Sequence, residues 1–139
     1  MTGSRSGLQV PPNCDLTLGL VCVDKRHPGS TTWRAVADER FANPAGIVQG
    51  GFLAAIADSA MGASAVTHAM QEPGRKVFSV NVEMKVSFLS PARVGQVLTC
   101  VAKVISGGDR VMFCEAEISD GSHRPVAKAS STYVVTTRD

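Results

Sequence analysis

The sequence predicts an α+β fold in which one long helix is wrapped by an antiparallel sheet of about six strands. Residues 49–69 form a helix-favouring segment that is rich in alanine and poor in charge. Residues 77–89 alternate apolar and polar side chains, as a strand does. Shorter strand-like runs lie on both sides of this pair, joined by short connections. The order predicts a meander around a central helix in a single domain.

Length and charge limit the classes of function. The 139 residues fit one domain, predicted for residues 14–139 behind a flexible lead of residues 1–13. A net charge of +2 with scattered basic residues does not indicate a nucleic-acid partner. No segment is apolar and long enough for a signal peptide or a membrane span. We therefore expect a cytoplasmic protein without a membrane or nucleic-acid partner.

The cysteines do not indicate a metal site. None of the four forms a CxxC pair, and no histidine pairs lie nearby, so bound zinc is not expected. The cysteines are expected to be free, reduced thiols. The chain also lacks a P-loop and a GxGxxG motif, so no nucleotide cofactor is expected.

The segments before the helix predict two strands and a loop. Residues 16–24 and 31–38 have strand composition, with a turn at residues 27–30 between them and Trp33 expected in the core. Residues 39–48 are expected to form a loop, because Asn43-Pro44 and Gly46 interrupt any regular element.

Residues 49–69 are the clearest helical segment. A helix so poor in charge should be buried on most of its surface, and its small side chains allow a sheet to pack closely. It should end before Glu72-Pro73-Gly74. His68, near that end, is expected to be exposed or to cap the helix.

The segments after the helix predict four strands. In residues 77–89, one face should carry Phe78 and the apolar residues at every second position to Phe88. The other face should carry Ser79, Asn81 and the polar residues that follow them. Three further strands are predicted at residues 96–105, 110–119 and 125–136, with hairpin turns at residues 107–109 and 120–122.

Asp58 is the first candidate for chemistry, because it is the only carboxylate in the predicted helix. An unpaired buried charge is costly, so such a residue is either paired or takes part in a reaction. The alternative is that Asp58 lies on a solvated stripe of the helix.

Gln49-Gly50-Gly51, at the predicted start of the helix, is the second candidate. The first N–H groups of a helix lack internal partners and carry the positive end of its dipole. Two glycines allow close approach to the backbone, and glutamine is a poor N-cap. Such a site suits a carbonyl oxygen that gains negative charge. The alternative is that the glycines serve packing alone.

The spacing of Gly50 and Asp58 bears on the assembly. They lie eight residues apart, or about 12 Å along a helix at roughly 1.5 Å per residue. One carbonyl cannot meet both groups from the same helix. If both act on it, they belong to different subunits, related by a two-fold axis that makes two equivalent sites.

Two segments resemble a known family. Asn43-Pro44 and the residues 46–62 that follow, GIVQGGFLAAIADSAMG, are similar to the signature of the PaaI-like (phenylacetic-acid-pathway) hot-dog acyl-CoA thioesterases. Residues 82–95, VEMKVSFLSPARVG, resemble the next strand and turn of that family. The resemblance extends over residues 14–136 and implies a hot-dog fold, homodimers with continuous sheets, and often dimers of dimers.

The resemblance also implies roles. Asp58 matches the catalytic carboxylate, a general base or nucleophile, and Gly50 the residue whose N–H polarises the thioester carbonyl. Asn43 matches an asparagine that positions water or the thioester. Asn81 falls where some members carry a serine or threonine that assists the carboxylate. Gln49 departs from the usual histidine and cannot titrate.

The implied substrate is an acyl-CoA, in which coenzyme A is part of the substrate and no separate cofactor is needed. Gly51 is expected at the substrate. Arg93 and Arg110, each after a turn, are the candidates for binding the CoA phosphates.

Two other functions compete with thioester hydrolysis. A hot-dog hydratase is disfavoured, because Phe41-Ala42-Asn43-Pro44 lacks the aspartate and histidine of its Asp-x-Asn-Pro-x-His motif. A non-catalytic acyl-CoA-binding or sensory domain would keep the pocket without needing Asp58. An assay of CoA release separates that domain from an enzyme.

Overall fold

The computed structural model describes residues 10–70 and 76–137. It contains two α-helices, α1 (Asn13–Leu18) and α2 (Gly50–Ala69), and a 3-10 turn at Glu39–Phe41. The strands are β1 (Val21–Asp24), β2 (Ser30–Val36), β3 (Val77–Phe88), β4 (Val97–Gly107), β5 (Val111–Ser119) and β6 (Pro125–Thr137). They form one sheet in the order β1-β2-β4-β5-β6-β3, antiparallel throughout. The predicted α+β architecture is confirmed.

The sheet wraps α2, which contacts every strand from β2 to β6. One stripe of α2 is fully covered by the sheet, including Ala60, Met61 and Ala65, each 0% exposed. The opposite stripe is only half-buried or exposed: Gly51, Ala55, Asp58, Ser59, Gly62 and Val66. Burial of most of the helix surface, as predicted, is therefore not reached within one chain. The stripe left open is made almost wholly of small side chains.

A buried hydroxyl network joins α2 to the sheet. Ser64 Oγ lies 2.8 Å from Thr31 Oγ1, and Trp33 Nε1 donates to the same Thr31 oxygen at 2.8 Å. Ser64 also donates to the Ala102 carbonyl. Trp33 lies in the core as predicted, 8% exposed.

The strand predicted for residues 16–24 is wrong in its first half. Leu16 and Leu18 belong to α1, and only Val21–Asp24 is a strand. Pro12 is the N-cap of this helix. Gly19 is its C-cap, in the left-handed conformation at φ 66°, and its N–H bonds back to the last turn. Leucines at positions 16, 18 and 20 have the two-residue spacing of a strand. In the helix this spacing does not mark one buried face, since Leu18 is buried and Leu16 is exposed.

The unbroken alternation predicted for residues 77–89 is also wrong. A β-bulge between Asn81 and Glu83 places one extra residue, Val82, opposite β6. Before the bulge, Ser79 and Asn81 face α2; after it, Met84 packs against the core. The bulge therefore puts polar side chains against the helix on one half of β3 and apolar ones on the other.

The loop at residues 39–48 is confirmed apart from its 3-10 turn, and His68 is half-buried beside Gly29. All four cysteines are free. Residues 1–9, most of the predicted lead, and the break at residues 72–74 lie outside the described residues. Neither described α-helix is long and apolar enough to cross a membrane.

Candidate active site

Asp58 lies in the middle of α2, half-buried, on the side that faces β3 and β6. Its Oδ1 accepts a hydrogen bond from Tyr133 Oη at 2.6 Å and another from Asn81 Nδ2 at 3.0 Å. Among the described residues no donor bonds to Oδ2. Asp58 thus lies on the open stripe of α2 and is also held by two neutral donors.

Tyr133, on β6, was not among the residues predicted to form the site. Its side chain is buried, 1% exposed, and its hydroxyl also lies 2.9 Å from the Asp58 backbone carbonyl. Burial raises the pKa of the Tyr133 phenol above its ordinary range, and the hydrogen bond to Asp58 raises it further. The phenol therefore stays protonated and can donate. A buried tyrosine needs a polar partner, but the sequence does not show which one.

Asn81 stands directly opposite Tyr133 in the β3–β6 ladder. Its Nδ2 lies within 3.3 Å of Ser131 Oγ and of Tyr133 Oη, besides Asp58. Its Oδ1 is buried and has no hydrogen-bond partner among the described residues. A buried acceptor of this kind is commonly satisfied by an ordered water molecule enclosed in the protein.

The N-terminus of α2 begins at Gly50, and Gln49 is its N-cap without a side-chain hydrogen bond. Phe52 N–H bonds to the Gln49 carbonyl, whereas the Gly50 and Gly51 N–H groups have no acceptor among the described residues. A Cβ at Gly50 would lie 2.8 Å from Phe88 Cζ, at the far end of an exposed side chain, so glycine lets this ring lie directly against the helix start. At Gly51 nothing lies within 4 Å. An N–H without an acceptor among the described residues and a close aromatic contact therefore occur together at Gly50.

The loop before α2 is held by Asn43. Its Oδ1 accepts from the N–H groups of Ala45 and Ile47 at 2.9 and 3.2 Å. The amide nitrogen of this exposed side chain has no hydrogen-bond partner among the described residues. The Asn43 oxygen thus shapes the loop that leads to Gln49.

The two candidate arginines lie at different ends of the protomer. Arg93 pairs with Ile47 beside the loop before α2, and its side chain is exposed. Arg110 precedes β5, and its carbonyl accepts from Val135 N–H, which places it level with Ser79 of β3. Phe88 is nine residues further along β3, about 30 Å at roughly 3.3 Å per residue. One protomer therefore does not bring both arginines to one place.

A groove of about 470 Å³ lies between α1 and α2 beside the helix entrance. Its described lining has no charged side chain: Cys14, Thr17, Leu18, Gln49, Gly51, Phe52 and Ala55. A second depression, of about 400 Å³, is lined by charged residues such as Lys103 and Glu117, with the exposed side chains of β4 to β6. In residues 10–70 and 76–137 no group of three or more His, Cys, Asp or Glu could hold a metal ion.

Comparison with known proteins agrees with this architecture. Acyl-coenzyme A thioesterase 13 of Homo sapiens is 23% identical over 108 residues, which cover 78% of this chain and 74% of that protein. A phenylacetic acid degradation-related protein of Ralstonia eutropha JMP134 is 34% identical, with a TM-score of 0.77 over 94% of each chain. A hypothetical thioesterase protein from Streptococcus pneumoniae TIGR4, solved with coenzyme A, is 18% identical, with a TM-score of 0.80 over 90% of this chain and 93% of that chain.

The family assignment follows from the length of the match. The thioesterase superfamily matches residues 45–127, which include Gly50, Asp58 and Asn81 and make up more than half of the chain. The similarity to the Ralstonia protein confirms the predicted resemblance to the phenylacetic-acid-pathway group. The chain belongs to the thioesterase superfamily and has its hot-dog fold.

Proposed function

We propose that this protein hydrolyses acyl-CoA thioesters to the free acid and CoA, at sites where Gly50 of one subunit faces Asp58 of the other. The observation that carries the proposal is the pair of features on α2. An oriented carboxylate lies in the middle of the helix, and a free N–H donor lies at its start. The names of the human relative and of the CoA-bound Streptococcus structure support acyl-CoA as the substrate class.

The chemistry needs a polarised carbonyl and an activated oxygen. The Gly50 N–H donates to the thioester oxygen and stabilises the negative charge that develops there. Acting as a base, Asp58 takes a proton from water while the water oxygen attacks the carbonyl carbon. The tetrahedral intermediate collapses, the C–S bond breaks, and the CoA thiolate leaves and takes up a proton.

The alternative route is covalent. An Asp58 oxygen attacks the carbonyl carbon, the CoA thiolate leaves, and the resulting mixed anhydride is then hydrolysed by water. Both routes give the same products and use the same carboxylate. They differ in the oxygen that first bonds to the acyl carbon, which is a water oxygen in the first route and an Asp58 oxygen in the second. Hydrolysis of the anhydride at the Asp58 carboxyl carbon puts ¹⁸O from H₂¹⁸O into Asp58 in a single turnover, which the base route does not do.

The dimer follows from the distance between the two groups. An axis that brings Gly50 against Asp58 of the partner subunit passes beside Ala54, midway between them. The open stripe of α2 is made of small side chains there, which allows two helices to approach closely. Pairing these stripes would cover the half of α2 that one chain leaves open.

The same axis suits the edge of the sheet. Gly50 lies against Phe88, and Gly62 lies against Ser79, so α2 runs antiparallel to β3. Ala54 therefore lies level with Met84 and Lys85 on that strand. β3 is an edge of the sheet, with Val80 54% and Val82 55% exposed. Two β3 strands paired about this point would continue the sheet across the dimer and cover the β3 edge of each subunit.

The dimer also brings the arginines to the same end of each site. The two-fold operation carries the level of Ser79 on one β3 strand to about the level of Ser90 on the other. Arg110 of the partner subunit then lies at the end of the sheet where Arg93 follows Ser90. We assign the CoA phosphates to this region and the acyl group to the uncharged groove between α1 and α2.

A non-catalytic acyl-CoA-binding domain is the second candidate, and Gln49 in place of the family's histidine is the observation that favours it. The test is release of the CoA thiol from a panel of acetyl-, medium-chain and aromatic acyl-CoAs by the purified protein. Multiple turnovers with at least one of them are expected. Saturable binding of acyl-CoA without release of thiol would assign the protein to the binding class instead.

A further inference from the structure

Tyr133 is the largest side chain that is fully buried in the described chain, and its polar end meets Asp58. A buried phenol must find an acceptor, and two lie within reach, Asp58 Oδ1 at 2.6 Å and the Asp58 carbonyl at 2.9 Å. Its ring also packs beside Gly62, where an added Cβ would lie 3.5 Å from the Tyr133 Cε2 atom. The ring is thus fixed by packing, and the hydroxyl is fixed with it.

The hydrogen bonds to Asp58 are asymmetric. Tyr133 and Asn81 both donate to Oδ1, and no donor among the described residues bonds to Oδ2. Two donors from opposed positions on β3 and β6 fix the rotation of the carboxylate about its Cβ–Cγ bond. One oxygen is occupied by the protein, and the other remains available for chemistry.

We infer that Tyr133 is a positioning residue, which holds Asp58 through Oδ1 so that Oδ2 is the oxygen that meets the attacking water or the thioester. The inference rests on the proposed function of Asp58. Tyr133 does not touch the reacting atoms; it acts through the orientation of the carboxylate. Misorientation of a reacting group lowers the rate of the chemical step more than the affinity for the substrate.

The first test compares Tyr133→Phe, which keeps the ring and removes the hydroxyl, with Ser64→Ala. Ser64 is a matched control, because its hydroxyl is also buried, 0% exposed, and hydrogen-bonded, but to Thr31 and backbone carbonyls. Tyr133→Phe should lower kcat by about 10- to 100-fold, the loss of one hydrogen bond to a charged group, and leave KM within about twofold. Ser64→Ala should keep kcat within about twofold.

Equal losses of kcat in the two variants would show that Tyr133 serves only the core, and would overturn the inference. Asp58→Asn is measured beside them. If Asp58→Asn hydrolyses acyl-CoA at the wild-type rate, the proposed function itself fails, whatever Tyr133→Phe shows. If Asp58→Asn is inactive and Tyr133→Phe is fully active, the proposed function stands and the positioning role is wrong.

A second measurement needs no substitution at Tyr133, so it can be made even if Tyr133→Phe does not fold. The chain has a single tyrosine, so absorbance at about 295 nm follows the ionisation of this phenol alone. Burial raises the pKa of Tyr133 most, and the Asp58 carboxylate raises it further by hydrogen bonding and by charge. In Asp58→Asn the phenol should therefore ionise at a lower pH than in the wild type, with circular dichroism showing that both proteins remain folded. Identical titration curves from proteins that stay folded through the transition would show that the hydroxyl does not meet the carboxylate, and the inference would fall.

Discussion

The ring of Phe88, at the end of β3, lies against Gly50, the first residue of α2. A Cβ added at Gly50 would come within 2.8 Å of Phe88 Cζ. The contact places an aromatic side chain, 56% exposed, beside the N–H group that we assign to the thioester oxygen. Glycine at this position therefore serves both packing and access, and variants can separate the two.

Gly50→Pro removes the N–H donor with little expected change to the helix. Proline is favoured at the first helical position, and Gln49 before it has φ −63° and ψ 139°, the extended conformation that proline requires of its neighbour. Gly50→Ala is the matched control, since it adds a Cβ against Phe88 but keeps the N–H. We expect kcat to fall about 10²- to 10³-fold in Gly50→Pro and much less in Gly50→Ala. Equal kcat values for both variants would exclude the Gly50 N–H as the donor.

Asp58→Asn tests the carboxylate. Asparagine keeps the size of the side chain and an acceptor for Tyr133, so the fold should be retained. Loss of the base or nucleophile should lower kcat by about 10²-fold or more, while acyl-CoA still binds. Asp109→Asn, in the β4–β5 turn, is the control for loss of one negative charge. Wild-type kcat in folded Asp58→Asn would exclude both routes proposed for the reaction.

Arg93→Glu tests the site assigned to the CoA phosphates. Reversal of the charge should raise KM for acyl-CoA several-fold and leave kcat nearly unchanged, because the phosphates are remote from the thioester. Arg34→Glu is the control, since Arg34 is exposed on the other side of the sheet from α2. The KM of Arg93→Glu should approach the wild-type value at high salt, where the charges are screened. A KM equal to that of Arg34→Glu would remove Arg93 from the site.

The buried thiols predict how stability depends on pH. Burial raises the pKa of Cys100 from 9.0 to about 12 and that of Cys114 to about 11. Above pH 9 the unfolded chain loses these protons while the folded chain keeps them, so the free energy of unfolding falls as pH rises from 9 towards 11 and 12. Each thiol contributes a slope of up to about 1.4 kcal/mol per pH unit. The Tyr133 phenol acts in the same direction above pH 10.

Denaturant unfolding at several pH values between 8 and 11 measures this slope. Cys100→Ala should show a shallower fall than the wild type, although its stability at pH 8 is lower. Ile118→Val removes a buried methyl group without a titrating group, so its slope should match the wild type. A Cys100→Ala slope as steep as that of Ile118→Val would mean that Cys100 does not contribute.

Much of the fold could be predicted, because its main elements have strong local patterns. The alanine-rich segment with its lone Asp58 specifies α2, and the turn residues between the later strands specify the hairpins. The six residues of α1 are too few to show a helical period, and the spacing of Leu16 and Leu18 suits a strand equally well. The bulge at Val82 depends on how β3 pairs with β6, which the sequence of β3 alone does not show.

The site could be predicted only where its residues are close together in the sequence. Gly50 and Asp58 share one helix, so their spacing and the separation it imposes could be worked out in advance. Tyr133 is 75 residues from Asp58, and its role depends on the sheet order that places β6 beside β3. The alternation of side chains along β6 indicates that Tyr133 faces the core, but it does not show which group the hydroxyl contacts.

The most direct test of a site shared between subunits is complementation between Gly50→Pro and Asp58→Asn. In a mixed dimer, one site receives the intact Gly50 from the Asp58→Asn chain and the intact Asp58 from the Gly50→Pro chain. The other site receives both defects. Each chain carries a different affinity tag, so that tandem purification isolates heterodimers from the inactive parents, and CoA release is then measured. We predict up to half the wild-type activity per heterodimer; folded heterodimers as inactive as their parents would contradict a site built from Gly50 of one subunit and Asp58 of the other.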